Sequence, residues 1–364
     1  MDDRGLIALR DRLVLLHQRE LAGLADEADE VVDFSSVASD RKAALAFALE
    51  LPLGGAETAE RSARADLLGA VVNGADHDLV GPVLESLLAM LEAEQEPYVL
   101  TSIAYALGHS WDERAGDALL DLATQVDDDV RLAAVQGLPG TRAQTDRPDG
   151  DRRVVDALVR STRDPVAEIR NWATFGLGQI EAEGPEVDQA FLDRLTDPHD
   201  DTRSEALRAM ADRRDERVVE PLIAELRSQD VEGVVVGAAG WFADQRFHAV
   251  LLDLAAMPRT DDDDQRWWAE LDAAIRRCDP GAPAAAEPIE VAILAVLQTS
   301  ASESGHPIDA TLFGEYPLTE VVITHGDRQE RSAIWNFDDR APDDPTSLDQ
   351  AFTFYRLANI ASWI

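Results

Sequence analysis

The chain has 364 residues, 45% of them hydrophobic and only 6% aromatic; this balance suits two or three globular domains of closely packed helices and excludes a wholly disordered chain. Lys plus Arg total 33 against 71 Asp plus Glu, a formal net charge of −38, so nucleic acid and anionic membrane are disfavoured; the acidity reads first as solvation and solubility, and a cationic protein, peptide or small cation is the partner class it would complement. Cys278 is the single cysteine, which excludes an intramolecular disulfide and a cysteine-based zinc site.

Residues 1–50 read as an N-terminal helical cap. Leu6, Ile7, Leu9, Leu13, Leu16 and Leu24 recur at helical spacing, and a second helix is expected over 39–50, opening near Asp40. The start, Met1-Asp2-Asp3-Arg4, has no basic and apolar leader, and the apolar stretch Val291–Leu297 is too short to span a bilayer. A cytoplasmic location is therefore expected.

Residues 55–278 carry an internal repeat. Arg131, Arg170 and Arg203 align in one column. Ala134, Ala173 and Ala206 follow at three residues, and Leu138, Leu177 and Met210 at seven. Arg61, Leu100 and Glu232 occupy the same frame, giving anchor spacings of 39, 31, 39, 33 and 29 residues. A second apolar stripe follows each anchor, as in Val218, Val219, Leu222 and Ile223. Helix, turn, helix, repeated about six times, predicts a stack in which each unit buries its neighbour's face.

This pattern resembles the HEAT-like repeats of the phycobiliprotein-lyase type. The resemblance implies a mostly α chain, a HEAT-type α-solenoid of about six helix pairs. It also implies a structural ladder of Asp164, Arg170, Asp197 and Arg203, in which an Asp six residues before the Arg bonds between successive repeats. Gln125, Glu94 and Gly55 stand in the Asp column elsewhere, and Leu100 and Glu232 in the Arg column. The ladder is expected to weaken there. HEAT solenoids host many roles, so the fold by itself names no function.

Residues 279–288 read as a linker. Beyond them, 289–364 reads as a small α+β module: a helix over Ile289–Thr299, a strand at Glu320–Thr324, a turn at His325–Asp327, and a second strand at Ser332–Phe337.

Searching for chemistry yields little. The sequence has no phosphate-binding Gly-rich loop with Lys, no Gly-x-Ser-x-Gly, and no His-Glu dipeptide of the kind that holds iron in HEAT-type hydroxylases. No two of its seven histidines are spaced at i+3 or i+4. The acidic runs lack the alternation and the Gly of a calcium loop, and Asp127–Asp129 suits a helix N-terminus. No catalytic residue, metal or cofactor is therefore expected.

Helical periodicity does mark a surface. Two, five and nine residues after each anchor lies a stripe separate from the core face, and in a solenoid that stripe can line the concave surface. Tyr105, His109, Trp172, Phe175, Gln179, Glu205, Arg208 and Trp241 fall on it. Aromatics flanked by polar groups are what an interface core looks like, although Trp172 and Phe175 would equally serve as plugs between repeats. Trp267 and Trp268 suit a terminal cap. The expected function is a non-catalytic scaffold holding a protein or peptide. The alternatives are a small-molecule sensor acting through the C-terminal module and a lyase-like activity.

Overall fold

The computed structural model describes residues 3–24, 32, 34, 37–38, 40–51, 57–73, 77–142, 148–228, 230–257 and 265–280, together with three strands within 309–333. It divides into two compact units, Met1–Ala209 and Met210–Ile364.

The first unit runs α1 (Asp3–Leu21), α2 (Arg41–Glu50), α3 (Thr58–Val72), α4 (His77–Ala93), α5 (Pro97–Gly108), α6 (Gly116–Leu122), α7 (Asp128–Arg142), α8 (Pro148–Ser161), α9 (Ala167–Gln179) and α10 (Pro185–Arg194). It ends within α11 (Asp200–Asp212). The anchor segments form α3, α5, α7, α9 and α11, and these pack in order: α5 lies against α3 and α7, and α9 against α7. The second helices fill the other layer, with α6 against α8 and α8 against α10. At the amino end α1 packs on α3, and α2 on α3 and α4.

The repeat columns explain the packing. Ala134, Ala173 and Ala206 are fully buried, as are Leu68, Leu107, Leu138 and Leu177 seven residues after their anchors. Each such leucine contributes about 2 kcal/mol of burial. Small residues set the helix spacing: a Cβ on Gly108 would lie 2.8 Å from the Gly137 Cα, so α5 and α7 meet backbone to backbone.

A shared device turns the chain between layers. Trp111 (φ 48°), Glu181 (φ 49°), Arg214 (φ 53°) and Ala243 (φ 51°) are left-handed without being glycine, and each stands eleven residues after its anchor. The amides of Ala182 and Asp215 then return to the carbonyls of Leu177 (3.1 Å) and Met210 (3.0 Å), which ends the helix in the Schellman manner. At the next position Asp112, Asp215 and Asp244 accept the amides of Arg114, Arg217 and Arg246 at 2.8–2.9 Å and start the next helical turn.

The second unit holds the end of α11, then α12 (Val219–Glu225), α13 (Gly233–Phe242), α14 (Gln245–Ala255) and α15 (Gln265–Cys278). α15 closes on α13 and α14. Trp268 is buried there, and Trp267 Nε1 donates to the Val231 carbonyl at 2.8 Å. Of the predicted α+β module, the described residues form an antiparallel sheet in the order β1 (Asp309–Phe313), β2 (Glu320–His325), β3 (Arg328–Ala333). β2 runs through His325, which pairs with Arg328, and β3 starts earlier than the Ser332–Phe337 expected. Trp335, Phe337 and the helix expected over 289–299 lie outside the described residues.

Candidate partner-binding surface

The anchor arginines are positioned first, because they fix how the repeats follow one another. Arg170 places Nε and Nη2 on the two oxygens of Asp197, both at 2.8 Å, and turns Nη1 to the Asp164 and Pro165 carbonyls. Arg131 does the same with Asp164, at 2.9 and 3.2 Å, and with the Gln125 and Val126 carbonyls. Arg203 donates to the Asp197 carbonyl at 2.9 Å. Asp197, with its side chain 1% exposed, also takes Arg194 at 2.9 Å and the His199 amide at 3.0 Å. Burial would raise its pKa, but the Arg170 hydrogen bonds and the other donors hold it below the usual carboxylate range.

The ladder corrects one expectation. Glu94 was expected to weaken the column, yet it receives Arg61 at 2.6 and 3.3 Å and works as an Asp would. Its carboxylate also caps the amides of Gln95 and Glu96, and its pKa is lowered by these bonds against the effect of burial. One extra methylene does not prevent the contact.

The stripe then lies on the anchor helices of the first unit. Tyr105 is 40% exposed, His109 is exposed, and Trp172, Phe175, Gln179, Glu205 and Arg208 are half-buried. Trp172 and Phe175 meet edge to face, with centroids 5.6 Å apart. The Trp172 indole N–H donates to Glu168 at 2.8 Å. From α11, Arg208 reaches over the Phe175 ring at 5.5 Å while bonding Glu205 at 3.0 Å. Burial raises the Tyr105 pKa, and the charges of Asp129 and Glu168 add to the rise. Asp129 and Glu168 thus lie within electrostatic range of Tyr105, and Glu168 links it to the Trp172 pair. The sequence columns missed both. They stand two residues before their anchors, one helical turn ahead of Ala133 and Trp172, and extending the stripe by that turn finds them.

Toward the amino end the same face is closed by α1. His17 is buried between Asp66, 2.8 Å from Nε2, and Tyr98, 2.8 Å from Nδ1. Tyr98 in turn donates to Glu20, so the imidazole fits as a cation that donates from both nitrogens. Burial opposes that charge, but Asp66 and Glu20 outweigh it and raise the His17 pKa. Burial holds the Tyr98 proton tightly, as does Glu20. His109 moves the other way, lowered by burial against the charge of Asp66.

Trp241 belongs to the second unit. Its ring lies under the Arg277 guanidinium of α15, 4.5 Å from the centroid, so α15 already covers part of it. No group of three or more His, Cys, Asp or Glu is placed to hold a metal ion among the described residues. Among them, too, no helix is long and apolar enough to cross a membrane.

No family model matches the chain. It is 29% identical over 101 residues to protein YibA of Escherichia coli K12, and equally to that of strain O157:H7. That alignment covers 28% of this chain and 36% of the relative, about a third of the relative's length. The crystal structure of Escherichia coli YibA superposes with a TM-score of 0.54 at 17% identity, covering 77% of this chain and 98% of that one. The complex of CpcE and CpcF of phycocyanin lyase from Nostoc sp. PCC7120 superposes at 0.40 with 19% identity, over 66% and 94%. With its paired helices, repeated columns and arginine ladder, the chain has the fold of a HEAT-type α-solenoid.

Proposed function

We propose that the chain is a scaffold that holds a basic peptide or a basic segment of a protein along the anchor-helix stripe of its first unit. Tyr105, His109, Trp172, Phe175, Gln179, Glu205 and Arg208 are the contact residues of this reading, and Trp241 serves the closure of the second unit by α15.

The observation that carries the reading is the pairing of partly exposed aromatic rings with carboxylates. Tyr105 stands near Asp129 and Glu168, and Trp172 is bonded to Glu168. A lysine or arginine side chain prefers such a place, stacked on a ring with its charge next to a carboxylate. The net charge of −38 raises the local concentration of any cationic partner and speeds its arrival. Plugging between repeats would call for rings buried like Phe191 or Phe247, whereas Trp172 and Phe175 keep part of their surface in solvent.

The test uses a fluorescein-labelled peptide of alternating Arg and Gly, with a Glu-for-Arg peptide as control. The intact chain is expected to bind the first and ignore the second. Trp172→Ala with Phe175→Ala should weaken binding about thirtyfold, the roughly 2 kcal/mol of a hot-spot side chain, while thermal unfolding stays cooperative. Equal binding by the folded double variant would refute the stripe as the contact surface.

A further inference from the structure

Three places on the stripe of the first unit share one build, a ring and a carboxylate set in repeat columns of the anchor helices. At the amino end, Tyr98 stands two residues before its anchor and Asp66 five after its own. They hold the His17 imidazole between them, each 2.8 Å from one nitrogen, with the two ring centroids 5.5 Å apart. Toward α11, Phe175 stands five residues after its anchor and Glu205 two after its own. They hold Arg208, whose guanidinium lies 5.5 Å from the ring centroid and whose Nε is 3.0 Å from the carboxylate. The Arg208 Nη2 is buried beside Gly178, so this side chain is a fixed part of the α9–α11 contact. Both seats are thus filled, each by a planar nitrogen cation of the chain itself. The third place lies between them. Tyr105 stands five residues after its anchor, Trp172 two after, and Asp129 and Glu168 two before theirs. Both carboxylates are exposed and act on Tyr105. Glu168 accepts the Trp172 indole N–H, and among the described residues no cation bonds either carboxylate. Arg131, on the same helix as Asp129, is committed to Asp128 and Asp164. In the column that carries Arg208 on α11, α7 carries the half-buried, neutral Gln136.

We infer that the stripe has one open cation seat, formed by Tyr105, Trp172, Asp129 and Glu168, and that it takes the guanidinium of an arginine in the bound peptide. The inference rests on the proposed function and adds to it which group of the partner is read and where. His17 and Arg208 stay in place and bound the seat on either side. A guanidinium can lie on a ring while its N–H groups face a carboxylate, whereas an ammonium has no plane to stack. The two filled seats hold planar cations in that way, and the open seat repeats their ring and carboxylate without the cation. Positive charge already stands at both flanking seats, so further arginines of the peptide gain nothing there.

The test fills the seat from within. Gln136→Arg supplies a cation in the column of Arg208, and Val126→Arg makes the same change in net charge at a position 94% exposed in the turn before α7. Binding of the labelled Arg-Gly peptide, and of its Lys-for-Arg counterpart, is measured for both variants and for the unaltered chain. If Gln136→Arg does not fold, the exposed Asp129→Asn, again with the same change in net charge, replaces it. The open seat predicts about tenfold weaker binding of the Arg-Gly peptide by Gln136→Arg, or about fivefold by Asp129→Asn, against less than about twofold for Val126→Arg. It also predicts that the Lys peptide binds the unaltered chain more weakly and loses no more from Gln136→Arg than from Val126→Arg. Equal loss from the seat variant and Val126→Arg, with the unaltered chain still binding, overturns the seat and leaves the proposed function in place, since that is general charge. An equal, selective loss for the Lys peptide also overturns it, because the seat then does not read a planar cation. Absence of binding by every form overturns both.

Discussion

Asp197 shows how much a single buried carboxylate can organise in this chain. Two guanidinium groups and one amide converge on a side chain that is 1% exposed. Water cannot stand in for these donors, so removing the acceptor leaves two cations short of a partner in a place of low dielectric. Asp197→Ala is therefore expected to cost about 3 kcal/mol, read as a lower midpoint in urea unfolding. The pH dependence has a definite sign. The folded-state pKa is depressed below the usual Asp value, so the contribution is fully present above the unfolded pKa of about 3.9 and is lost as pH falls through the lower folded value. The gap between the unaltered chain and Asp197→Ala should accordingly stay constant from pH 7 to about 5 and narrow below about 4. A constant gap at every pH would mean that the loss comes from packing rather than from the charge.

At the scale of elements, the anchor helices were legible because their signal is repeated. Arg at one position, Ala three later and Leu seven later define a core face that no single repeat would prove, and the structure buries those positions as the columns require. The Glu94 exception was misread because type-matching treats Glu and Asp as different, whereas the bond needs only a carboxylate within reach of Arg61. The left-handed exits at Trp111, Glu181, Arg214 and Ala243 were not legible, since none is the Gly or Asn that such a position normally selects. Their common place eleven residues after the anchor was available as a column without a residue type. Of the candidate surface, the aromatic members could be read from periodicity. Asp129 and Glu168 could not, because acidic residues at a helix start are already explained by the helix dipole. The close helix pair offers a test at this scale. By intrinsic propensity, Gly108→Ala in α5 should stabilise by about 1 kcal/mol. Because the new Cβ would meet the Gly137 Cα at 2.8 Å, it is instead expected to destabilise by about 1–3 kcal/mol, as overpacking does. Thermal unfolding decides between the two signs.

At the scale of the molecule, order in the first unit is carried from neighbour to neighbour, with α3, α5, α7 and α9 touching in turn and a ladder bond joining Arg61 to Glu94, Arg131 to Asp164 and Arg170 to Asp197. A stack of repeats presents an extended surface to a partner. On the first unit that surface carries rings and carboxylates in sequence, within a chain of net charge −38. A cationic partner should therefore bind with an affinity that falls as salt rises, because screening removes the long-range part of the attraction while stacking persists. The central claim concerns where that partner lies. Hydroxyl-radical footprinting with the Arg-Gly peptide addresses it side chain by side chain, with Trp111 as an internal reference: it is 48% exposed and lies off the stripe at a helix exit. The account predicts that oxidation of Tyr105, Trp172 and Phe175 slows when peptide is added while Trp111 is oxidised at its original rate; unchanged rates at all three stripe residues under saturating peptide, or equal slowing at Trp111, would contradict it.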